Sequence, residues 1–421
     1  MTYRATEFCE GFEFGATIVG NNPNKPIETS AGTISIQSTT KRSGSYALKV
    51  APANGTATYA DFEYQGPVSS DNIGRFYIRF ATLPDADCWL FVLFQRSGGV
   101  VTHGFAYNAS TGKIRPGVHD QAATPDVEEF GSDGSISVST GVWYRIDFKQ
   151  TKASNVFTID WQMAVEGASG TAETQFVSGT RSASTGASMV EFGDFYNTTP
   201  DGEFYFDDVV VLAGAGATNW PTYPIGDGRV VRLKPSSDGT HVNSGDFTDD
   251  AANSPPASVY DRIDDDPVTD STAGDHIYQD TIGATSYLEV NLGDTPSDWA
   301  SGDYAHGASI MLGVSQPSTG VTHFDTVLRD TVNSWSDTYG GGGSAYTGKF
   351  WEKSVYDPYL SSEANNSKAV WDAMVVRLGY ADDVTPNFLV HDLVLQVAYP
   401  AGLGGNDGWG WGDGTERWHY L

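Results

Sequence analysis

Glu203-Phe-Tyr-Phe-Asp-Asp-Val-Val-Val-Leu212, a Gly/Ala/Asn linker, and then Ile225-Gly-Asp-Gly-Arg-Val-Val-Arg-Leu-Lys-Pro235 form the stretch on which the architecture turns. Aromatic and β-branched residues dominate its first half and a Gly-Ala-Gly-Ala run ends it, so that half reads as the last strand of a β domain. The second half opens another domain. Residues 1–214 are therefore expected to form one sandwich, 215–224 a linker, 225–400 a second β domain and 401–421 a flexible Gly/Trp-rich tail.

Upstream of that stretch, period-two patterns separated by Gly, Ser and Asp turns mark a series of short strands. Glu7 to Phe14 alternates aromatics around Gly11, as an opening strand with a bend would. Cys88 to Gln95 is a near-continuous apolar run, expected as a central strand buried on both faces. In Val142 to Lys149, Trp143, Arg145, Asp147 and Lys149 share one face and Val142, Tyr144, Ile146 and Phe148 the other. Met189 to Tyr196 and Phe204 to Leu212 close the domain, giving a two-sheet sandwich of jelly-roll type. Downstream, Arg229–Leu233, Tyr287–Leu292, Ala308–Val314, Asp325–Asp330, Ala373–Tyr380 and Phe388–Tyr399 read as strands, and Ser362–Trp371 as the one helix. Residues 237–282 read as a long polar surface loop and Gly340–Gly343 as a bare linker.

Composition agrees with an all-β chain: 48 Gly and 13% aromatics accompany few helix-forming runs. The 53 acidic residues outnumber 24 basic ones, for a net charge of −29 with no basic cluster, so a phosphate backbone is repelled and nucleic acid is excluded as a partner. No run approaches the roughly 18 apolar residues of a membrane span. Met1 is followed by polar residues rather than a basic and then apolar leader, so neither a membrane partner nor export through a leader is expected. Cys9 and Cys88 are too few for a disulfide framework and are expected as buried thiols.

Gly11-Phe-Glu13, Ser43-Gly-Ser-Tyr-Ala-Leu-Lys-Val50, Val142-Trp-Tyr-Arg-Ile146 and Phe206-Asp-Asp-Val-Val-Val211, in that order, resemble the concanavalin A-like lectin/glucanase jelly roll over about residues 5–214. The continuation through Ile225-Gly-Asp-Gly-Arg-Val230, Asp264-Asp-Asp-Pro267, Tyr356-Asp-Pro358 and Trp371 resembles a group of tailed-bacteriophage virion structural proteins. In those, a lectin-like jelly roll passes through a Gly-Asp-x-Arg-Val junction into a second β domain. The chain departs from that pattern after Pro358, reading Tyr359-Leu-Ser-Ser362 where Thr-Gly is expected. The resemblance implies a non-enzymatic head-decoration, head-fibre or tail-accessory protein, assembled in a host cytoplasm as a homo-oligomer on capsid or tail proteins. Its alternative is a carbohydrate-binding, lectin-like module that meets a glycan on the host surface.

Candidate chemistry is sparse. Jelly-roll glucanases hold two carboxylates on one groove about 5 Å apart; Glu191 and Asp194, three apart on a strand, point to opposite faces unless a bulge intervenes. Asp207 and Asp208 are adjacent and meet the same obstacle. No catalytic residue is assigned. Glu203, Asp207 and Asp208 are the candidate Ca²⁺ ligands, with Asp264, Asp265, Asp266 and Asp270 a second acidic group; no other cofactor is expected. The eight His lack zinc spacing, and His103, His323 and His391 read as structural. Of Trp89, Trp143 and Trp161, at least two must be core. Trp409, Trp411, Trp418 and Tyr420 of the tail are the candidate partner anchors, because exposed aromatics are enriched at interface hot spots.

Overall fold

The computed structural model describes residues 2–3, 6–20, 26–63, 71–94, 101–182, 188–214, 219–265, 268, 275–279, 286–300, 303–316, 322–329, 334–341, 346–356, 367–380 and 389–401. It is a nearly all-β chain of stacked antiparallel sheets. Among the described residues no helix is long and apolar enough to cross a membrane.

The first sandwich has a seven-stranded sheet in the order Val127–Phe130, Lys113–Asp120, Val101–Asn108, Cys88–Phe94, Met189–Asp194, Thr58–Glu63, Thr29–Ala31. Facing it, a nine-stranded sheet runs Thr171–Ala172, Val156–Val165, Trp143–Ala153, Asn72–Thr82, Glu203–Ala213, Ala47–Ala51, Thr33–Gln37, with Thr6–Glu10 and Phe176–Val177 added beside Glu203–Ala213 and Val156–Val165. Alternation decides what goes inside: Tyr144, Ile146 and Phe148 enter the core, while Trp143 packs with Tyr77 and Tyr205 on the opposite face. Phe76 of one sheet stacks on Phe91 of the other at 4.4 Å between ring centres. Fully burying each such ring contributes about 1.5–3 kcal/mol. Trp161 is core, Trp143 lies on the outer face of its sheet, and Cys9 and Cys88 are buried free thiols.

The Glu203–Ala213 strand changes partner midway. Phe204–Phe206 pairs with Ala47–Ala51, and Val209–Leu212 pairs with Thr6–Glu10. Between these halves its register against Asn72–Thr82 slips from Asp207 opposite Tyr77 to Val210 opposite Arg75, and Asp208 takes a φ of 53°. This is a β-bulge, made tolerable because Asp accepts the left-handed region better than a β-branched residue would.

Two more sheets follow. One joins Phe247–Asp249, Ile277–Gln279, Leu389–Tyr399, Gly307–Gln316 and Tyr346–Tyr356, with Arg229–Leu233 also on Leu389–Tyr399; the other orders Pro235–Asp238, Tyr287–Leu292, Val375–Tyr380, Thr322–Arg329 and Ser334–Gly341. Ile310, Leu312, Leu393 and Leu395 face the second core, whereas Met311 and Val394, one residue out of phase, reach the core of the first sandwich. The sheet that contains them is thus apolar on both faces, which explains the consecutive apolar residues Leu393-Val-Leu395 in the middle of Leu389–Tyr399.

Three expectations need correction here. Residues 237–282 are not one surface loop: Pro235–Asp238, Phe247–Asp249 and Ile277–Gln279 are strands, and Phe247, Val259, Ile263 and Val268 are buried. The helix is one turn, Lys368–Trp371, with Ser367 in the N-cap position and Ser362 and Asn365 outside the described residues. Gly340 and Gly341 end a strand rather than belonging to a linker.

Candidate functional site

The bulge and the interdomain peptide meet in one polar hub. Arg42 Nη1 donates to Asp208 Oδ2 at 2.6 Å and to the Gly228 carbonyl at 2.7 Å, and its Nη2 donates to Asp227 Oδ1 at 2.6 Å. Its guanidinium lies 3.5 Å from the centre of the Tyr77 ring, and Tyr77 donates its hydroxyl to Asp227. Gly226 N donates to Asp147 Oδ1 at 2.8 Å, Arg75 Nη1 donates to the Gly226 carbonyl at 3.1 Å, and Val230 N donates to Asp208 Oδ1. Each residue of Gly226-Asp-Gly228 is therefore held by a side chain of the first sandwich. A Cβ on Gly228 would strike Arg75 Nη1 and the Tyr399 carbonyl, so only glycine fits between hub and last strand.

Asp207 and Asp208 are the centre of this hub. Asp207 accepts from the backbone N–H groups of Arg42 and Ser43 and from Asp208 N; Asp208 accepts from Arg42, Ser43 Oγ and Val230 N. The bulge brings the two adjacent carboxylates to one place, the exception to strand alternation that their sequence adjacency conceals. Burial, and then the Asp208 charge, push the Asp207 carboxyl well above the usual carboxylate range. Glu203 lies elsewhere, paired with Lys49 at 2.7 Å and accepting from Tyr205. The three candidate Ca²⁺ ligands are thus occupied by protein donors at two separate places. Among the described residues no group of three or more His, Cys, Asp or Glu is arranged to hold a metal ion.

A second constellation lies on the outer face of the seven-stranded sheet. Glu191 stands directly opposite Asp61 of the neighbouring strand, and the two are 3% and 9% exposed. Burial, then the Asp61 charge and hydrogen bond, raise the Glu191 carboxyl well above its ordinary value. Asp194 is used otherwise: Oδ2 accepts from Trp89 N at 2.9 Å, and Oδ1 accepts from Tyr196 N and Asn197 N, both at 2.8 Å. Gly193, at φ 105°, lets the strand turn there, since a Cβ would strike the Thr58 carbonyl. Burial moves Asp194 up to about 6. Trp89 belongs to this face, packing with Phe130 and donating Nε1–H to Glu128 at 2.8 Å.

The partner of Glu191 is therefore Asp61, which sequence reasoning missed because Thr58–Glu63 was not recognised as a strand. Its signal, Thr-Tyr-Ala-Asp-Phe-Glu, is short and closely follows a turn at Asn54-Gly55. His103 stacks on Phe157 and is pushed down to about 3 by burial, and His391 shares a hydrogen bond with Ser315 at 2.8 Å. Asp264 and Asp265 border the second core, with the Asp265 carbonyl accepting from Arg232 at 2.7 Å. Asp266, Asp270, Trp409, Trp411, Trp418 and Tyr420 lie outside the described residues, as does the side chain of His323.

No protein-family model matches the chain, and no curated protein matches it. Similar solved structures include a marine alginate lyase from Aplysia kurodai, at 14% identity over 45% of this chain and 91% of that one, with a TM-score of 0.35. A carbohydrate esterase from the Shiga toxin-encoding bacteriophage phi24B is 11% identical over 44% of this chain and 89% of its own, with a TM-score of 0.29. A tandem carbohydrate-binding domain from Paenibacillus barcinonensis is 12% identical over 94% and 98% of the two chains, with a TM-score of 0.24. None of these likenesses assigns an activity.

Proposed function

We propose that the chain is a non-enzymatic structural protein of a bacteriophage particle, in which the two sandwiches act as one rigid unit that assembles on capsid or tail proteins. One observation carries this reading. The Gly226-Asp-x-Arg-Val230 junction, part of the resemblance to virion proteins, meets Ser43 and Asp207-Asp208 of the lectin-like segments in the hub that joins the domains, although the three lie far apart in sequence. These segments build a joint between the domains. Among the described residues, Glu191 and Asp61, a cross-strand pair, are buried and hydrogen-bonded to each other rather than open to a groove, which fits the same view. Light scattering of the purified chain tests the reading: a closed symmetric oligomer supports a particle component, whereas a monomer at micromolar concentration counts against it.

A second reading, a lectin-like module, is favoured by the outer face of the seven-stranded sheet, where aromatic rings and carboxylates lie side by side. The two readings are compatible in one particle protein, with the hub for rigidity and the sheet face for contact.

A further inference from the structure

Glu191 and Asp61 face each other from adjacent strands, and both are buried. An ionised carboxyl only accepts hydrogen bonds, so the bond between these two exists only while one of them holds a proton. With that proton gone, two like charges would stand side by side without hydration. The groups packed around the pair bring no Lys or Arg to it. Asp194 follows on the same strand, Tyr59 and the exposed Glu63 flank Asp61, and Glu28 is buried where its N–H donates to the Asp61 carbonyl at 2.9 Å. On the other side Cys88–Phe94 presents Trp89 and Val92, Val101–Asn108 presents Thr102, Lys113–Asp120 presents His119, and Val127–Phe130 presents Glu128.

The turn that follows Glu191 is tied to the same carboxyl. Phe195 N donates to Glu191, and Tyr196 N and Asn197 N donate to Asp194 Oδ1, both at 2.8 Å. From there Tyr196 lies across the neighbouring strand. Its ring packs with Trp89, Val92 and Ala106 and meets His119 edge-to-face at 4.4 Å, and its hydroxyl reaches Thr102, two strands from Glu191. The Glu191 and Asp61 charges both act on that hydroxyl.

We propose that the proton shared by Glu191 and Asp61 is a latch for the Phe195–Tyr196 turn: when it leaves for solvent, water enters to hydrate both carboxylates and Tyr196 lifts from Trp89, Val92 and Ala106. Burial and the facing Asp61 hold the Glu191 carboxyl well above its ordinary value. The closed turn is therefore fully favoured below the ordinary carboxylate range and loses that support as pH rises through the raised value. Hydrogen exchange of the full chain from pH 4 to 9, corrected for the chemical exchange rate and read by mass spectrometry, separates the turn from the strands. Exchange over 195–199 is expected to accelerate about tenfold beyond the correction, while 144–148 and 288–292 stay protected. Glu191→Gln, which keeps the size and donates an amide hydrogen to Asp61, is expected to hold the turn closed throughout. Asp61→Asn supplies a second neutralised pair should the first variant fail to fold. Corrected exchange that is flat with pH overturns the latch. So does the same acceleration in Glu191→Gln, which would assign it to Asp194, and so does loss of protection across the whole first sandwich, which would make the proton a support of the sandwich rather than of the turn.

Discussion

Arg42 keeps its charge with a side chain only 3% exposed, although burial opposes it, because Tyr77, Asp208 and Asp227 lie against it. Removing one member of such a buried set strands the others, at a cost of about 3–5 kcal/mol. Arg42→Met is expected to lose that much in urea unfolding, and Arg42→Lys somewhat less, because an ammonium cannot span Asp208, Gly228 and Asp227 together. Asp194 carries a different signature. Its carboxyl titrates near 6 in the fold against 3.8 unfolded, so the folded state binds the extra proton in that window. The stability it contributes is full below 3.8 and is lost as pH rises through 6, to a limit of about 3 kcal/mol. His103 and His306, both held neutral by burial, act in the opposite sense, so the total slope does not isolate Asp194. The difference between Asp194→Asn and the unmodified chain does: unfolding measured from pH 4 to 7 is expected to show the variant gaining on it steadily, and a constant gap would refute the assignment.

The elements show why the joint does not behave as a tether. Gly11 N donates to Gln396 Oε1 at 2.8 Å, Gln396 Nε2 donates to Glu10 Oε1 at 2.7 Å, and Ser309 Oγ donates to the Cys9 carbonyl at 2.8 Å, all between strands of different sandwiches. Around them Cys9, Ile73, Val210, Leu212, Ile225, Val230 and Ala398 form one apolar cluster. Calorimetry of the intact chain is therefore expected to show a single transition, and Gly228→Val, which wedges Arg75 from Tyr399, to split it in two; two transitions in the unmodified chain would refute the coupling. Several strands of the second domain were legible in sequence: Arg229–Leu233 and Tyr287–Leu292 begin and end where their apolar and β-branched residues place them. What was not legible depends on register. The Asp207-Asp208 bulge, the pairing of Glu191 with Asp61 and the penetration of Met311 into the first core follow from which strands lie side by side, and periodicity within one strand does not contain that information. The short strands at 247–249 and 277–279 were hidden by Asp- and Ser-rich neighbours whose composition outweighed three apolar positions.

For the whole molecule the governing quantity is the charge of −29, which acts differently according to where the carboxylates sit. Asp207 and Asp208 are inside and answered by N–H and O–H donors, so added cations gain nothing from them. The exposed carboxylates repel one another, and that repulsion destabilises the compact state until salt screens it, with a Debye length of about 8 Å at physiological ionic strength. Two mechanisms of cation dependence are thus separable. General screening raises the melting temperature with ionic strength and is indifferent to the ion, whereas a Ca²⁺ site responds to Ca²⁺ far below the concentration at which screening changes. Melting in NaCl and in CaCl₂ at equal ionic strength is expected to give the same rise from low salt, and EDTA to leave melting temperature and scattering mass unchanged. A Ca²⁺-specific rise would require oxygen ligands beyond the hub, at residues other than Glu203, Asp207 and Asp208, because the donors those three already hold would have to be broken before a metal could enter.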